Sequence, residues 1–411
     1  MASNGAVYGP FVVGTALAAS NRKPSGYNVE SYRFNIAQVE EDVEDWSISR
    51  ASGFNGSLGG NFVDTTNVDP DIAAILASAA ESPFISYDAE FECILGPSPT
   101  LQLLAGPVDR DFALEGGIYV EETNSIWFTG IGPGEAGHVV RALNLSDNTI
   151  YKPVKDNLVL RPNGGTYYRG HVYIAFWGNR TVTGGVLAID VHTGETKTVV
   201  NNYFGLPFNS PNDVACAERP DPSSGIRRRA VFFTENDFGA PNLLNETGPA
   251  VLPSTVWRLD PDEESLQPVI TRADIPYPNG VAVNLDATKL YVSDTPVSYI
   301  RGQGVGRSGS PAIYVYDLME DLVPINKRLF SFSRSRIPDG IKVDDAGRVW
   351  SAEGEGVVVR DSGGKILGAF NDKVLLNSRD SEISNFALYG DKLLILAEER
   401  IWSVKLGQRV R

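Results

Sequence analysis

The chain has 411 residues, of which 42% are apolar, 10% aromatic and 21% charged, a balance that excludes a disordered or fibrous protein. Thirty-six basic side chains against 51 acidic ones leave a net charge of −15. That field repels phosphate backbones and anionic lipid, so neither nucleic acid nor a membrane surface is an expected partner.

Residues 1–82 read as an N-terminal extension, partly irregular, with polar and small-residue stretches such as Ala51-Ser52-Gly53-Phe54-Asn55-Gly56-Ser57. The apolar run from Phe11 to Ala19 is like a weak signal-peptide core, but the first ten residues carry no positive side chain and include Pro10. A cytoplasmic location is therefore expected over a secreted one. The spacing predicts a short helix over 70–80, with Asp69 or Asp71 as its cap. No run of 18 apolar residues occurs, so no membrane-spanning helix is expected.

From residue 83 to 411 the texture changes to short runs rich in Val, Ile, Tyr, Phe and Trp, each bounded by Gly, Asp, Asn or Pro. Helical periodicity is nearly absent, and the fold class is all-β. One unit recurs: a turn, a four-residue apolar strand, a polar turn, an aromatic strand. It is found at 115–130, 211–235, 278–295 and 338–354, and more faintly at 384–399. The last three copies begin roughly 45 to 65 residues apart, which is the repeat of a propeller blade. A further blade built from 167–200 fills the gap after the first copy. The prediction is a six-bladed β-propeller over 83–411, its ring closed by Phe84-Ile85-Ser86-Tyr87 pairing with the last blade.

In a propeller the innermost strand of every blade runs along one central channel. The residues that open these strands are Glu115, Asn212, Asn279 and Asp339. Any one of the Pro-Asn-Gly and Pro-Asp-Gly tripeptides is, by itself, an ordinary turn. Their common phase brings two carboxylates and two amide carbonyls to one axis. That all-oxygen set suits a hard divalent cation, calcium first and magnesium second.

These residues also carry a resemblance. Leu114-Glu115-Gly116-Gly117-Ile118-Tyr119, Phe208-Asn209-Ser210-Pro211-Asn212-Asp213 with Val231-Phe232-Phe233-Thr234-Glu235, Pro278-Asn279-Gly280-Val281-Ala282 and Pro338-Asp339-Gly340-Ile341 resemble, in order and spacing, four motifs of the SMP-30/gluconolactonase family. The run 84–105 and the stretch from Thr193 to Gly205 look most like the fungal lactonohydrolases of that group. The resemblance covers about 83–411 and implies a six-bladed propeller that hydrolyses a small-molecule lactone with a divalent metal. It also implies metal ligation by Glu115, Asn212, Asn279 and Asp339, with Asp339 doubling as the water-activating catalytic group. Two positions depart from the family pattern. Ser210 stands where several members carry an arginine that grips a sugar-like substrate, and Glu235 stands where an Asp is common. Both bear on substrate identity.

Lactone hydrolysis needs a polarised carbonyl, a nucleophilic water and a stabilised oxyanion, which a cation with open positions and an adjacent carboxylate can supply. His171, on an aromatic-rich strand, is a further candidate to face the substrate, together with Ser210 and Glu235. No GxSxG motif occurs, and none of the three histidines (His138, His171, His192) shows metal-ligand spacing or a nucleophile context, so a serine-hydrolase triad and zinc chemistry are not expected. Cys93 and Cys216 cannot build a disulfide framework. Rival readings of the same channel are phosphotriester hydrolysis on the metal, and a lactone-pathway isomerase or binding propeller without hydrolysis.

Overall fold

The computed structural model describes residues 37–39, 48–50, 54–56, 60–108, 111–131, 137–155, 159–220, 225, 227–296, 309–377 and 381–411. The apolar run 11–19 lies outside them. Six antiparallel sheets of four or five strands form the body of the protein. In chain order the blades use strands within 115–151, 162–200, 210–271, 278–332, 341–371 and 385–405. Each blade runs its strands outward from the axis. The inner strand leaves the face on which residues 115, 212, 279 and 339 stand, and the second strand returns to it.

The strands form where alternation and β-branching allow both faces to be buried. Blade 5 shows this in Val349–Glu353 and Gly356–Arg360, buried at every residue. Fully buried antiparallel strands need apolar partners from both neighbouring sheets. The structure supplies them in six clusters, one at each interface between adjacent blades. Trp127 lies between blades 1 and 2, Trp257 and Phe233 between blades 2 and 3, and Trp350 and Phe386 between blades 5 and 6. The sixth interface joins Leu394, Leu396 and Ile401 of the last blade to Ile126 and Phe128 of the first. The ring is closed by packing as well as by pairing.

Two sequence expectations are corrected here. The outermost strand of blade 6 is Thr100–Ala105, paired with Arg400–Lys405. Phe84–Ser86 adds a fifth strand to blade 5 against Gly368–Phe370. Helix α2 (Ala89–Leu95), capped by Asp88, lies between these two strands and directs the chain from one blade to the next. Periodicity could not show it, because seven residues make barely two turns. Blade 2 begins at Pro162, not at 167, so that Pro162-Asn163-Gly164-Gly165 opens its inner strand.

The expected helix is α1 (Pro70–Ala80). Asp69 is its cap, accepting from the Asp71 and Ile72 amides, and Pro70 stands in the first turn. Ile72, Leu76 and Ala79 form its buried stripe against Val63 and Ile85. Cys93 is exposed, Cys216 is half-buried and both are free. Among the described residues no helix is long and apolar enough to cross a membrane.

Trp402 ties the closing blade to its neighbour. Its ring is buried and its indole N–H donates to the Leu375 carbonyl at 2.9 Å. Trp402→Ala is expected to destabilise the ring by about 3–5 kcal/mol, read as a fall in denaturant midpoint. An unchanged midpoint would show that the closure does not depend on this contact.

Candidate active site

The side chains at the head of each inner strand are aimed by irregular pairing. In blades 2, 3 and 4 the register slips between Pro162 and Gly165, Pro211 and Val214, and Pro278 and Val281. Two inner-strand residues then oppose one on the partner, a β-bulge that turns Asn163, Asn212 and Asn279 out of the sheet plane. Proline suits the position just before, at the start of a strand where no ladder donor is needed. The following glycine makes room for the neighbouring blade. A Cβ on Gly280 would lie 2.1 Å from the Asp339 carbonyl, and one on Gly340 would lie 2.6 Å from the Asn385 side chain. The two Pro-Asn-Gly tripeptides are therefore bulges at strand starts, not reverse turns.

Hydroxyls on the second strands hold the bulges in place. Thr129 donates to the Asn163 carbonyl at 3.1 Å, Thr234 to the Asn279 carbonyl at 2.6 Å, and Ser293 to the Asp339 carbonyl at 3.1 Å. Blades 1, 3 and 4 thus each fix the head residue of the next. The ring holds two members that the motif search missed, Asn163 in blade 2 and Asn385 in blade 6. Asn385 donates to Glu115 Oε2 at 3.0 Å. The signal for Asn163 was present as another Pro-Asn-Gly. Asn385 opens the faint repeat copy at 384–399, with Ser384 where the other copies carry proline.

The predicted ligand residues share one electrostatic environment. Asp339 is hydrogen-bonded by the Asn279 side chain and feels the Glu115 charge. Asn212 occupies the same head position in blade 3 and is buried. Burial pushes the Glu115 carboxyl up to about 8, with the Asn385 bond drawing it back and Asp213 adding repulsion. Burial, followed by Glu115, raises Asp339 well above the usual carboxylate range. One layer deeper, Asp213 accepts from the Val214 amide at 2.9 Å and also pairs with the Gly165 and Val281 amides, tying three inner strands together. Lys342 donates to the Gly116 carbonyl at 3.2 Å, and the Asp213 charge works against the desolvation that lowers its pKa.

Three buried oxygens of this ring, Asn212 Oδ1, Asn279 Oδ1 and Asp339 Oδ1, accept no hydrogen bond from the protein. Buried acceptors seldom go without donors. Unpartnered amide and carboxylate oxygens beside an ionisable Glu115 fit a hard, oxygen-seeking cation, so the residues present suit a divalent metal.

The remaining predicted residues lie elsewhere. His171 pairs with Tyr168 at the far end of blade 2, its ring nitrogen 3.1 Å from the Arg169 carbonyl on the exposed opposite face. It is not at the site, because a histidine that opens a second strand stands at the end farthest from the head of the first. Ser210 is buried, its hydroxyl donating to Asn209 Oδ1 and accepting from the Gly239 amide, both at 2.7 Å. Glu235 accepts from the Asn209 amide at 2.6 Å. Burial pushes its carboxyl up to about 8 against that bond. Both side chains brace the entry to Asn212 beside the 237–248 loop, and Glu235 Oε2 is buried without a protein donor.

The family model described as the SMP-30/gluconolactonase/LRE-like region matches residues 114–393. The chain belongs to this family. A lactonohydrolase of Aspergillus oryzae, oryL, is 27% identical over 297 residues, covering 67% of this chain and 64% of that protein. A gluconolactonase of Zymomonas mobilis is 28% identical over 246 residues, covering 57% and 60%. The chain thus spans just under two thirds of the length of these relatives. Among solved structures, a gluconolactonase of Xanthomonas campestris superimposes with a TM-score of 0.61 at 26% identity, covering 79% of this chain and 95% of that one. This SMP-30/gluconolactonase propeller shares its ring architecture with that enzyme.

Two outcomes follow from the bracing and the buried acids. Thr234→Val removes the donor to the Asn279 carbonyl and the acceptor of the Asp213 amide, which lies at 2.9 Å. Leaving both groups buried and unmet should cost about 2–4 kcal/mol, measured by denaturant unfolding. A variant as stable as the parent would show that the hydroxyl ring does not hold the bulges. The second outcome concerns pH. Folded Glu115 and Glu235 hold protons up to about 8, whereas the unfolded chain releases them near pH 4.3. The native state binds more protons between these values, so this contribution is full below the lower one and is lost as pH rises through the upper. With chelator present, the melting temperature is expected to fall between about pH 5.5 and 8.5. A rise would contradict the burial of these acids.

Proposed function

We propose that the protein is a hydrolase that opens the ester ring of a lactone, working with a divalent cation, calcium by preference, held by Glu115, Asn212, Asn279 and Asp339. The observation that carries this reading is the set of three unpartnered buried oxygens at the heads of three inner strands. The family membership, and the lactonohydrolase and gluconolactonase names of the relatives, support the choice of substrate class. When bound, such a cation would act as a Lewis acid on the lactone carbonyl and offset the oxyanion charge.

The chain's own residues do the rest. Asp339 is the general base: its carboxylate takes a proton from water as the water oxygen bonds to the carbonyl carbon. Collapse of the tetrahedral adduct breaks the ring C–O bond, and the proton passes from Asp339 to the departing alkoxide, leaving a hydroxy acid. The Asn279 hydrogen bond and the Ser293 brace on the Asp339 backbone orient that carboxylate. Asn385 fixes Glu115 through one oxygen, leaving the other free to face the channel.

Asp339→Asn keeps the shape and removes the base. It is expected to lower kcat by about 10²–10⁴ on any lactone the parent opens, and to weaken calcium binding measured by titration calorimetry. Acid release from a lactone panel should vanish with chelator and return with calcium. Release that persists without metal, or an Asp339→Asn variant of parental rate, would overturn the assignment. Turnover of a phosphotriester but of no lactone would favour the rival chemistry.

A further inference from the structure

The loop between Arg227–Asn236 and Thr255–Asp260 joins the second and third strands of blade 3, and Arg272 follows that blade's outer strand, Ser265–Thr271. Between the loop and Arg272 lies a recess of about 610 Å³, whose lining includes none of the strand-head residues. Its frame is held by the protein's own bonds. The Ala240 amide donates to the Asp237 carbonyl at 3.0 Å, and the Glu246 and Thr247 amides both donate to the Gly239 carbonyl at 2.8 Å. The Asn209 side chain donates to the Thr247 hydroxyl at 2.9 Å and to the Gly248 carbonyl at 2.8 Å. From blade 2, Arg180 donates to the Asn245 side chain at 2.8 Å, and Arg161 pairs with Glu246.

Much of the wall is apolar, with Pro241, Pro249 and Pro253 beside Leu252. Proline fixes its own φ, so such a wall has little freedom to lose when a ligand packs on it. Three polar side chains in the lining are left without protein partners. Ser254 is only 3% exposed, and its hydroxyl is buried with nothing to bond. Asp237 is half-buried, and its Oδ1 is likewise unmet. Arg272 is exposed and, among the described residues, makes neither a hydrogen bond nor an ion pair. Asn242, the other polar member, is already engaged within the protein. An acid and a base thus share one recess and do not neutralise each other.

We propose that this recess is a ligand site separate from the channel, and that it takes a small zwitterion with an apolar body, of the α-amino acid class. The ammonium would meet Asp237, the carboxylate Arg272, and the side chain the proline and leucine wall. The leftover groups select this class by elimination. A plain anion would be repelled by Asp237 and by a chain of net charge −15. A plain cation would leave Arg272 unused, and a neutral molecule would draw on neither charge. A ligand with both ends gains two charge-assisted hydrogen bonds while its body leaves water. The inference does not depend on the lactone chemistry, because none of these residues belongs to the strand heads.

The test is titration calorimetry on the full chain with three matched probes. L-phenylalanine carries both charged ends, 3-phenylpropionate lacks the ammonium and 2-phenylethylamine lacks the carboxylate. Phenylalanine should bind roughly tenfold or more tightly than either truncated probe, the worth of one charge-assisted hydrogen bond. Arg272→Met should weaken phenylalanine by a similar factor and leave 2-phenylethylamine unchanged. Asp237→Asn should weaken phenylalanine and leave 3-phenylpropionate unchanged. This crossed pattern ties each end of the ligand to one residue, and a general loss of folding would not produce it. The affinity should be the same with chelator as with calcium. Phenylalanine binding no tighter than both truncated probes, or equally tight in both variants, overturns the proposal. So does the absence of any binding up to about 10 mM, where even a weak millimolar complex would form. Binding that requires calcium would put the ligand at the strand heads and overturn the separate site.

Discussion

Six inner strands share one axis, and whatever stands at their heads must find partners in a narrow space largely removed from water. Carboxylates are the costliest groups to place there, since desolvation raises their pKa unless charge or hydrogen bonds offset it. Around Glu115 and Asp339 the offsets are partial. Asn385 binds one oxygen of Glu115, Asn279 binds Asp339, and Lys342 sits below them beside Asp213. The remaining imbalance is what a cation would relieve, and the rest of the architecture maintains it.

That maintenance is shared between blades. The hydroxyls of Thr129, Thr234 and Ser293 each fix the head residue of the following blade. A parallel set of acids fixes the chain just before the head. Glu235 accepts the Asn209 amide, Asp294 the Tyr277 amide at 3.0 Å and Glu398 the Glu382 amide at 2.8 Å. The six inter-blade clusters make these short contacts tolerable, because a close-packed ring cannot relax outward at one blade without opening an interface at another. Rigid strand heads can then carry variable loops on the same face.

Much of this was legible in the chain. Alternation and turn residues marked the strands, the phase of Glu115, Asn212, Asn279 and Asp339 marked the axis, and Asp69-Pro70 marked helix α1. The misreadings have specific causes. Phe84–Ser86 looks like any short buried strand, and so does Thr100–Ala105. Which one closes the ring depends on helix α2, a seven-residue element too short for periodicity to show. His171 was assigned from its position in the sequence, but which end of a blade a side chain occupies depends on how the strands pair.

The sequence by itself determined the all-β class, the repeat, the number of blades and the residue types at the strand heads, because each of these follows from local chemistry at fixed spacing. Tertiary structure decided which strand completes the ring, that Pro-Asn-Gly is a bulge and not a turn, and that Asn163, Asn385, Asp213 and Lys342 belong to the channel. It also decided that the oxygens of Asn212, Asn279 and Asp339 are left without protein donors. The reason is that these properties belong to pairs of blades. They depend on contacts between residues tens to hundreds of positions apart, such as Glu115 with Asn385 or Arg334 with Gly60, and no local pattern encodes the partner of a buried polar atom.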